Sequence, residues 1–290
     1  MDIYIPNLVL RPFYPPMHGV PGSSQRKGIR MQSGATAFYV DPGNASADDN
    51  NKGWDAEYPL ATIQQAVDNA SAEDYIFISP GSYDETVNVD KSLTIVGLSG
   101  SSAVIINPLT AGAEGMLVAA NDVVLINLVI FGESTSTYAL AVADTYSRFS
   151  AFNCEFAGPT GNVVQVTGNI NVWFRECSFS GGGDGLEIID GAAITPDAIM
   201  IQDCFFSDLT AAHIEGAATA ATRVIVKDCI FDGSTVPTKF INLDGTGTTG
   251  IVTDCSFGYA TNATLVQDVA TGVFWVANES EAGISAARPA

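Results

Sequence analysis

The chain has 290 residues, and 47% of them are hydrophobic, which is enough to bury a continuous core. It carries 12 Lys and Arg against 32 Asp and Glu, and the formal net charge of −20 excludes nucleic acid as a partner of the folded body. No stretch approaches the roughly 18 apolar residues of a membrane span, and the first residues lack a secretory signal, so the sequence predicts a protein made in a cytoplasm, with no membrane partner.

Residues 1–36 are predicted to form an extended arm in front of the folded body. Five prolines and four glycines in this segment prevent long regular elements. The segment is nevertheless too apolar for a solvated linker. Docking onto another protein is the preferred interpretation, and a disordered leader is the alternative. The apolar residues of the arm are Ile3, Tyr4, Ile5, Leu8, Leu10, Phe13 and Tyr14.

Residues 37–74 are predicted to cap the body with a strand, a polar loop and a helix. The loop contains Asp48, Asp49 and Asn51, whose oxygens are of the type that binds Ca²⁺. Their spacing does not match the calcium-binding loop of EF-hands, and no bidentate Glu follows. A plain surface loop is therefore the favoured interpretation over a metal site, and no cofactor is predicted.

Residues 60–72 are the one segment with a convincing helical pattern. Thr62 and Gln65 have the spacing of a capping box, and Ile63 and Val67 fall on one apolar face. A helix at this place in the chain is expected to cover the open end of the strands that follow, because unpaired strand edges need protection.

One short phrase recurs five times between residues 149 and 257, within the segment of residues 75–279 that is predicted to form the folded body. It consists of alternating apolar residues, an acidic or amide residue, then Cys, any residue and Phe, and a repeat of this period indicates a repeat architecture. Successive cysteines are separated by 23, 27, 25 and 26 residues: Cys154, Cys177, Cys204, Cys229 and Cys255.

The polar residue before each Cys resets the alternation, which indicates a sharp corner between two short strands. Asn and Asp suit such a corner because they tolerate left-handed backbone, whereas Glu176 departs from that type. The predicted corner residues are Asn127, Asn153, Glu176, Asp203, Asp228 and Asp254.

Each repeat also contains a third strand after a variable loop, at residues 140–142, 164–166, 186–188 and 241–243. Three strands per turn of about 25 residues predict a parallel β-helix, in which each coil stacks on the last. An antiparallel sandwich is the alternative, but it gives no reason for Cys and Phe to return to one register. Residues 75–78, 80–87 and 93–97 are interpreted as the first coil.

The five cysteines share one inward position, so they are predicted to form a stack of free, buried thiols. Unoxidised cysteines imply folding in a reducing compartment. A zinc site is the sharper alternative, but it needs histidine companions or closely spaced cysteines, and only His18 and His213 are present.

Three stretches carry a resemblance to a known superfamily: residues 61–67 (ATIQQAV), 76–85 (IFISPGSYDE) and 91–97 (KSLTIVG). They resemble the entry segment of right-handed β-helix proteins of the pectin-lyase-like superfamily, which includes pectin esterases, periplasmic β-helix proteins and tailed-phage spike and appendage proteins. The resemblance implies an all-β fold, a right-handed single-stranded parallel β-helix with three strands per coil, about eight coils, an N-terminal capping helix and an extended N-terminal arm. It specifies the fold better than the function, because the segment serves as a cap.

The middle coils, at residues 139–142 and 150–158, resemble those of pectin methylesterases. In that family a catalytic Asp follows each of the first two such cysteines by seven residues, and these positions hold Gly161 and Asp184. The family's oxyanion-supporting Gln falls near Tyr138, and no Gly-Arg-Pro-Trp motif follows. One of the two carboxylates needed as acid and nucleophile is missing, so the chain is predicted not to be an enzyme.

Asp184 and Glu187 remain the strongest catalytic candidates. Glu187 is expected to point outward from its strand, near Asp184, and two carboxylates roughly 5–9 Å apart can hydrolyse a glycosidic bond. No aromatic platform accompanies them, and acidic neighbours arise by coincidence in so acidic a chain. Glycan hydrolysis is therefore kept as an alternative.

One outward position, four residues before each Cys, is apolar in most coils. An apolar strip along a solenoid marks a protein interface, and the preferred interpretation is self-association, most simply as a homotrimer. The alternative is that a loop of the same chain covers the strip. The predicted interface residues are Val124, Trp173, Met200, Ile225 and Ile251.

These features together predict a virion structural protein of a tailed bacteriophage, acting as a surface spike, capsid decoration or tail appendage. The arm is expected to dock onto another virion structural protein, the β-helix to face solvent or host surface glycans, and residues 280–290 to form a flexible tail. Two alternatives stay open: a polysaccharide depolymerase acting on host glycans, and a non-catalytic glycan-binding module.

Overall fold

A computed structural model describes residues 31, 33–98, 103–108, 113–133, 138–158, 160–192, 196–216, 222–233, 237–243, 248–258, 267–269 and 272–280. Within these ranges the chain forms one α-helix, α1 (Ile63–Asn69), and 27 strands. In chain order the strands are β1 (Ala37–Val40), β2 (Asp74–Ile78), β3 (Gly81–Asp84), β4 (Val87–Val89), β5 (Leu93–Gly97), β6 (Val104–Asn107), β7 (Met116–Val118), β8 (Val124–Ile126), β9 (Val129–Phe131), β10 (Leu140–Val142), β11 (Ser150–Phe152), β12 (Glu155–Ala157), β13 (Val164–Thr167), β14 (Ile170–Arg175), β15 (Ser178–Ser180), β16 (Leu186–Ile189), β17 (Asp197–Gln202), β18 (Phe205–Ser207), β19 (Ala212–Gly216), β20 (Arg223–Lys227), β21 (Ile230–Asp232), β22 (Lys239–Leu243), β23 (Thr249–Thr253), β24 (Ser256–Phe257), β25 (Gln267–Val269), β26 (Gly272–Val276) and β27 (Glu279–Ser280).

From β2 onward, successive strands pass through three parallel sheets in turn. Sheet 1 contains β1, β2 and then every third strand up to β26, ten strands in all. Sheet 2 contains nine strands from β3 to β27, and sheet 3 contains eight strands from β4 to β25. Every pairing between the described strands is parallel and joins one coil to the next, so the coils stack directly on one another.

The parallel β-helix with three strands per coil is confirmed, with a small difference in the number of coils. Six turns, which begin at β8 and every third strand up to β23, carry the predicted corner residue, and the three sheets hold ten, nine and eight strands against the predicted count of about eight coils. In the described ranges, the turns that begin at β2 and β5 have no such residue. Residues 93–97 were wrongly placed in the first coil: β5 pairs with β2, with Thr94 opposite Tyr75, so it opens the second coil.

The corner between sheets 1 and 2 is a single residue with left-handed backbone. Its N–H donates to a carbonyl of the next coil, as from Asn153 to the oxygen of Arg175 at 3.0 Å. Glu176 has a φ of 54°, like its Asn and Asp counterparts, so the stacking of coils fixes this conformation whatever the residue type. The φ angle lies between 51° and 56° at all six: Asn127, Asn153, Glu176, Asp203, Asp228 and Asp254.

The cysteine position is confirmed as a stack of buried free thiols. Each sulfur lies beside a backbone carbonyl, as Cys204 Sγ does at 3.2 Å from the oxygen of Gln202. Burial raises the pKa of the Cys154, Cys177 and Cys204 thiols, because a thiolate there loses its hydration. These thiols therefore pack as small apolar groups.

Phenylalanines of sheet 2 stack on one another inside the coils. The ring centroids of Phe179 and Phe206 lie 4.5 Å apart, those of Phe206 and Phe231 5.0 Å apart, and those of Phe231 and Phe257 4.8 Å apart. Trp275 continues the stack at 5.4 Å from Phe257. One aromatic column thus runs through the last five coils and ties neighbouring coils together.

Helix α1 is shorter than predicted. It begins after the N-cap Thr62, because Leu60 forms a parallel bridge with Val40 of β1 instead of a first helical turn. Thr62 Oγ1 accepts from the backbone N–H of Gln65 at 3.3 Å, but the Gln65 side chain donates to Asn69, so only half of the capping box forms. Residues 70–72 are not helical, since the backbone becomes extended at residue 70.

A carboxylate from the first coil completes the start of α1. The two oxygens of Glu85 accept from the N–H groups of Ile63 and Gln64 at 2.8 and 2.9 Å. Burial raises the pKa of Glu85, and these two N–H donors partly oppose the rise. The helix is thereby fixed over the end of the stack, next to β4.

Candidate functional site on the outer wall

A row of polar side chains follows the outer face of sheet 3. The strands β13, β16, β19 and β22 place one such residue each in the same register, with Gln165 opposite Glu187, Glu187 opposite Glu215, and Glu215 opposite Asn242. All four are half-buried. The row exists because alternate residues of these strands point inward and form the core, which leaves the residues between them on the wall.

Glu187 accepts hydrogen bonds from two neutral neighbours. Gln165 Nε2 donates to Glu187 Oε2 at 2.8 Å, and Tyr138 OH donates to the same oxygen at 3.4 Å. Gln165 Nε2 also donates to the oxygen of Tyr138. Burial, with the nearby charge of Glu187, raises the pKa of Tyr138 to about 12. The tyrosine is therefore a protonated donor beside the carboxylate at neutral pH.

Glu215 is held by an amide in the same way. Asn242 Nδ2 donates to both carboxylate oxygens of Glu215, each at 2.9 Å. Glu187 and Glu215 are Cα partners on adjacent strands, and such partners lie roughly 4.8 Å apart. The register therefore places the two carboxyl side chains next to each other on the outer face of sheet 3.

Asp184, the other predicted catalytic candidate, mainly joins two coils. Its Oδ1 accepts from the backbone N–H of Ala212 at 2.7 Å, and its own N–H donates to Asn162 Oδ1 at 3.0 Å. Burial raises the pKa of Asp184, the Ala212 N–H opposes this, and the charge of Glu187 adds to it. Asp184 is therefore near Glu187, with one oxygen committed to the backbone.

The position of the other expected esterase carboxylate is occupied by Gly161. Its carbonyl accepts from the N–H of Gly183 at 2.8 Å, so the turn before β13 stacks on the turn before β16. A Cβ on Gly182 would collide with the same carbonyl, which explains the glycine with positive φ at that turn. The two turns are packed against each other, with Asp184 at their edge.

The three residues of the cap loop that were considered as metal ligands form hydrogen bonds close to the loop itself. Asp49 Oδ1 accepts from the N–H groups of Ala61 and Thr62 at 2.9 and 3.0 Å, just before α1. Asn51 Nδ2 donates to backbone carbonyls of the loop, and Asp48 Oδ1 accepts from Asn50. Among the described residues, no group of three or more His, Cys, Asp or Glu side chains is placed to hold a metal ion.

The predicted interface residues lie in one register row on the outer face of sheet 1. The row continues at its C-terminal end into Phe274, which is 72% exposed. In β14, Trp173 packs on Phe152 at 5.1 Å between ring centroids, and its indole N–H is buried without an acceptor in the described part of the chain. The row members are Val124, Ser150, Trp173, Met200, Ile225, Ile251 and Phe274.

The structure divides this row into two parts. Val124 and Trp173 pack against an apolar cluster on the outer face of the early coils, which also contains Phe77 and Phe152. The later members are partly exposed to solvent. We refer to these later members as the lower strip: Met200, Ile225, Ile251 and Phe274.

The predicted docking residues of the arm, Ile3 to Tyr14, lie outside the described residues, and so does nearly all of the predicted flexible tail. The described part of the arm consists of residue 31 and residues 33–36. Of these, Met31 and Ala35 pack against the same outer cluster on sheet 1.

The sequence reasoning missed Glu215, Gln165 and Asn242. The usable signal was the repeat itself, because Glu215 follows Glu187 by 28 residues, close to the 27 residues of the longest repeat. Strand β19 was not recognised, since His213 breaks its alternation and small residues precede it. Without β19 the polar row of sheet 3 could not be assembled.

A stack of three parallel sheets around one apolar core defines a parallel β-helix. The chain belongs to the right handed beta helix region family, whose model matches residues 138–285. No curated protein matches the sequence. Within the described residues, no helix is long and apolar enough to cross a membrane.

Solved structures with the same fold include several pectin methylesterases. The Aspergillus niger enzyme is 13% identical with a TM-score of 0.62, over 90% of each chain. The carrot enzyme is 14% identical with a TM-score of 0.61, over 88% of this chain and 86% of its own. Escherichia coli YbhC is 13% identical with a TM-score of 0.60, over 91% of this chain and 89% of its own. At these identities the similarity establishes the fold alone.

Proposed function

We propose that the chain is a structural protein of a tailed-bacteriophage virion, a spike, capsid decoration or tail appendage that self-associates as a homotrimer. The arm of residues 1–36 docks it onto another virion structural protein, and the rest of the wall faces solvent or host glycans. The pairing of strands above and below each coil suits this role, because it leaves few free strand edges for unfolding or proteolysis to begin from.

The lower strip is the observation that carries this proposal. Four apolar side chains, one per coil, continue along the outer face of sheet 1 to the exposed ring of Phe274. Monomeric soluble proteins rarely expose a contiguous apolar surface of this kind, and a straight row along a solenoid suits contact with copies around a parallel axis. A body of high negative charge also needs such an apolar contact to overcome repulsion between copies.

Replacing Ile251 with glutamate is expected to dissociate the assembly to monomers and to prevent incorporation into virions. The substitution places a charge in the centre of the lower strip, where its desolvation opposes association. Sedimentation velocity measures the assembly, and mass spectrometry of purified particles measures incorporation. Circular dichroism should remain that of a β-helix, because the side chain lies outside the core.

Ser256→Glu is the matched control, since Ser256 is exposed on the outer face of sheet 2, in the coil that contains Ile251. This variant is expected to assemble and to enter particles like the unmodified protein. If Ile251→Glu sediments unchanged and enters particles normally, the strip does not mediate assembly and the proposal loses its main support.

The polar row of sheet 3 favours a second candidate, hydrolysis of host surface polysaccharide. Glu187 and Glu215 are neighbours in register, and each is bound by an amide donor that fixes its orientation. Glycoside hydrolysis would require one of these two carboxyl groups as the general acid and the other as the base or nucleophile. The pectin methylesterases that share its fold at low identity support enzymatic chemistry on this scaffold only in general terms.

Incubation with host capsular polysaccharide, followed by an assay for reducing ends, separates the candidates. We expect no release from the structural protein. Release of reducing ends by the unmodified protein would indicate the hydrolase instead. The rate of release should then fall at least about 100-fold in both Glu187→Gln and Glu215→Gln, but not in the control Glu155→Gln on sheet 2. Binding of the polysaccharide without cleavage would indicate a non-catalytic glycan-binding module.

A further inference from the structure

A cavity of about 440 Å³ opens at the end of sheet 2, in the coils that contain β9, β12 and β15. Its volume lies within the range of small-molecule sites, roughly 300–1,000 Å³. The lining combines one aromatic ring and several small residues with three polar side chains, a composition typical of ligand sites. None of its lining residues belongs to the polar row of sheet 3 or to the lower strip of sheet 1.

The cavity lies where one outward row of sheet 2 changes from a large residue to small ones. Phe131 lies opposite Ala157 on the next strand, and Ala157 lies opposite Ser180 on the strand after that. The residue directly before each of them is fully buried in the core, so all three side chains face outward. The ring of Phe131 therefore borders a space that the small side chains of the next two coils leave open.

Three polar side chains line this space together with the ring: Asn107, Glu133 and Ser180. The amide nitrogen of Asn107 donates to Ser82 Oγ at 3.0 Å, which fixes the amide and leaves its oxygen as an acceptor. The carboxylate of Glu133 accepts as well, and the hydroxyl of Ser180 can donate or accept. The set is richest in acceptors, so it suits a ligand that presents hydroxyl donors.

The charge of the cavity disfavours an acidic ligand. Glu133 contributes a carboxylate to the lining, and no Lys or Arg is present among the described residues that line it. The chain as a whole carries a formal net charge of −20. Repulsion therefore selects neutral ligands over anionic ones.

We propose that this cavity binds one neutral sugar ring of a host glycan. The apolar face of the sugar packs on Phe131, and its hydroxyls donate to Glu133 and Asn107. The inference rests on the proposed function, in which the wall faces host glycans, for the source of the sugar. It adds the site and the class of ligand, and it places binding on sheet 2, apart from the carboxylates of sheet 3.

The test measures binding of three neutral methyl glycosides, those of glucose, galactose and mannose, to the full chain by saturation-transfer difference NMR. We expect at least one of them to bind, with a dissociation constant on the order of millimolar. The uronate that matches the bound sugar differs from it only in one carboxylate, and it should bind at least about five-fold more weakly. Absence of binding by all three glycosides, or equal binding of the uronate, overturns the proposal.

Phe131→Ala should weaken binding of the sugar at least about five-fold, because the packing on the ring is lost. Phe205→Ala is the matched control, since it removes an exposed ring from the outer face of the same sheet, outside the cavity. The control should bind the sugar like the unmodified protein. Equal weakening in the two variants, or no weakening in Phe131→Ala, overturns the assignment to this cavity.

Ser180→Phe provides a second variant, because it fills the cavity and leaves Phe131 in place. Ser180 is half-buried and faces outward, so the circular dichroism should remain that of the unmodified protein. Sugar binding should fall below detection, and retained binding counts against the cavity. Glu187→Gln and Glu215→Gln should bind the sugar normally, whereas loss of binding in either would place the sugar on sheet 3 and overturn the proposal.

These outcomes are independent of assembly and of incorporation into virions. Binding is read on the isolated protein, so it is unaffected if Ile251→Glu shows that the lower strip does not mediate assembly. Conversely, absence of sugar binding overturns only this inference and leaves the result for Ile251→Glu unchanged.

Discussion

Replacing Phe206 with alanine is expected to lower the free energy of unfolding by about 3–5 kcal/mol. The side chain is fully buried, and its ring stacks on Phe179 at an interplanar angle of 4° and on Phe231 at 14°. Alanine removes both contacts at once and leaves a cavity in the middle of the aromatic column. The neighbouring coils cannot close this cavity easily, because their strands are fixed by hydrogen bonds to the coils above and below.

The neighbouring residue Phe205 provides a control for this substitution. It is 40% exposed on the opposite face of the same strand, β18, so Phe205→Ala should change the free energy of unfolding by less than about 0.5 kcal/mol. Guanidinium denaturation followed by circular dichroism measures both variants. If the two variants lost similar free energies of unfolding, the aromatic column would not be a main source of stability in the late coils.

The inward half of the fold could be predicted because it repeats. A Cys or Phe in one coil must meet its counterpart in the next, so the register constrains residue type at a fixed spacing. The corner at Glu176 shows how strong this constraint is, since the backbone there takes the left-handed conformation although Glu is a poor residue for it. The stack of coils determines the conformation, and the local preference of the residue is overridden.

The outer wall could be predicted only in part, because outward residues are not constrained to match from coil to coil. The apolar row of sheet 1 was found, since its position relative to Cys is fixed. The polar pair Glu187 and Glu215 was not, because it required β19, whose alternation His213 interrupts. The burial of Phe77 and Ile126 could not be predicted either, because it depends on the residues that pack over the sheet and not on the alternation of residues within its strands.

The residue that interrupts β19 has an unusual environment. His213 is fully buried, and its ring lies 4.8 Å from that of Phe240, 5.8 Å from Phe231 and 6.2 Å from Phe206. Neither ring nitrogen has a hydrogen-bond partner in the described part of the chain. Burial lowers the pKa of His213 to about 3, against an ordinary value of 6.5, and the charge of Asp208 only partly opposes this. The folded protein therefore holds the imidazole neutral, as an apolar ring among phenyl rings.

Replacing His213 with phenylalanine is expected to make the β-helix less sensitive to acid. Between pH 6.5 and about 3 the unfolded chain binds one more proton than the folded chain, so stability falls as pH falls through this window. Between pH 7.5 and 4.5 the titration of this residue should lower the free energy of unfolding by about 2–3 kcal/mol. In His213→Phe the free energies of unfolding at the two pH values should therefore differ by that much less. Phe240→Leu is the matched control, since it alters the same cluster without a titrating group and should lower stability equally at both. Denaturant unfolding of the unmodified protein and both variants at each pH gives six free energies. An unchanged pH difference in His213→Phe would contradict the assignment of the acid sensitivity to this ring.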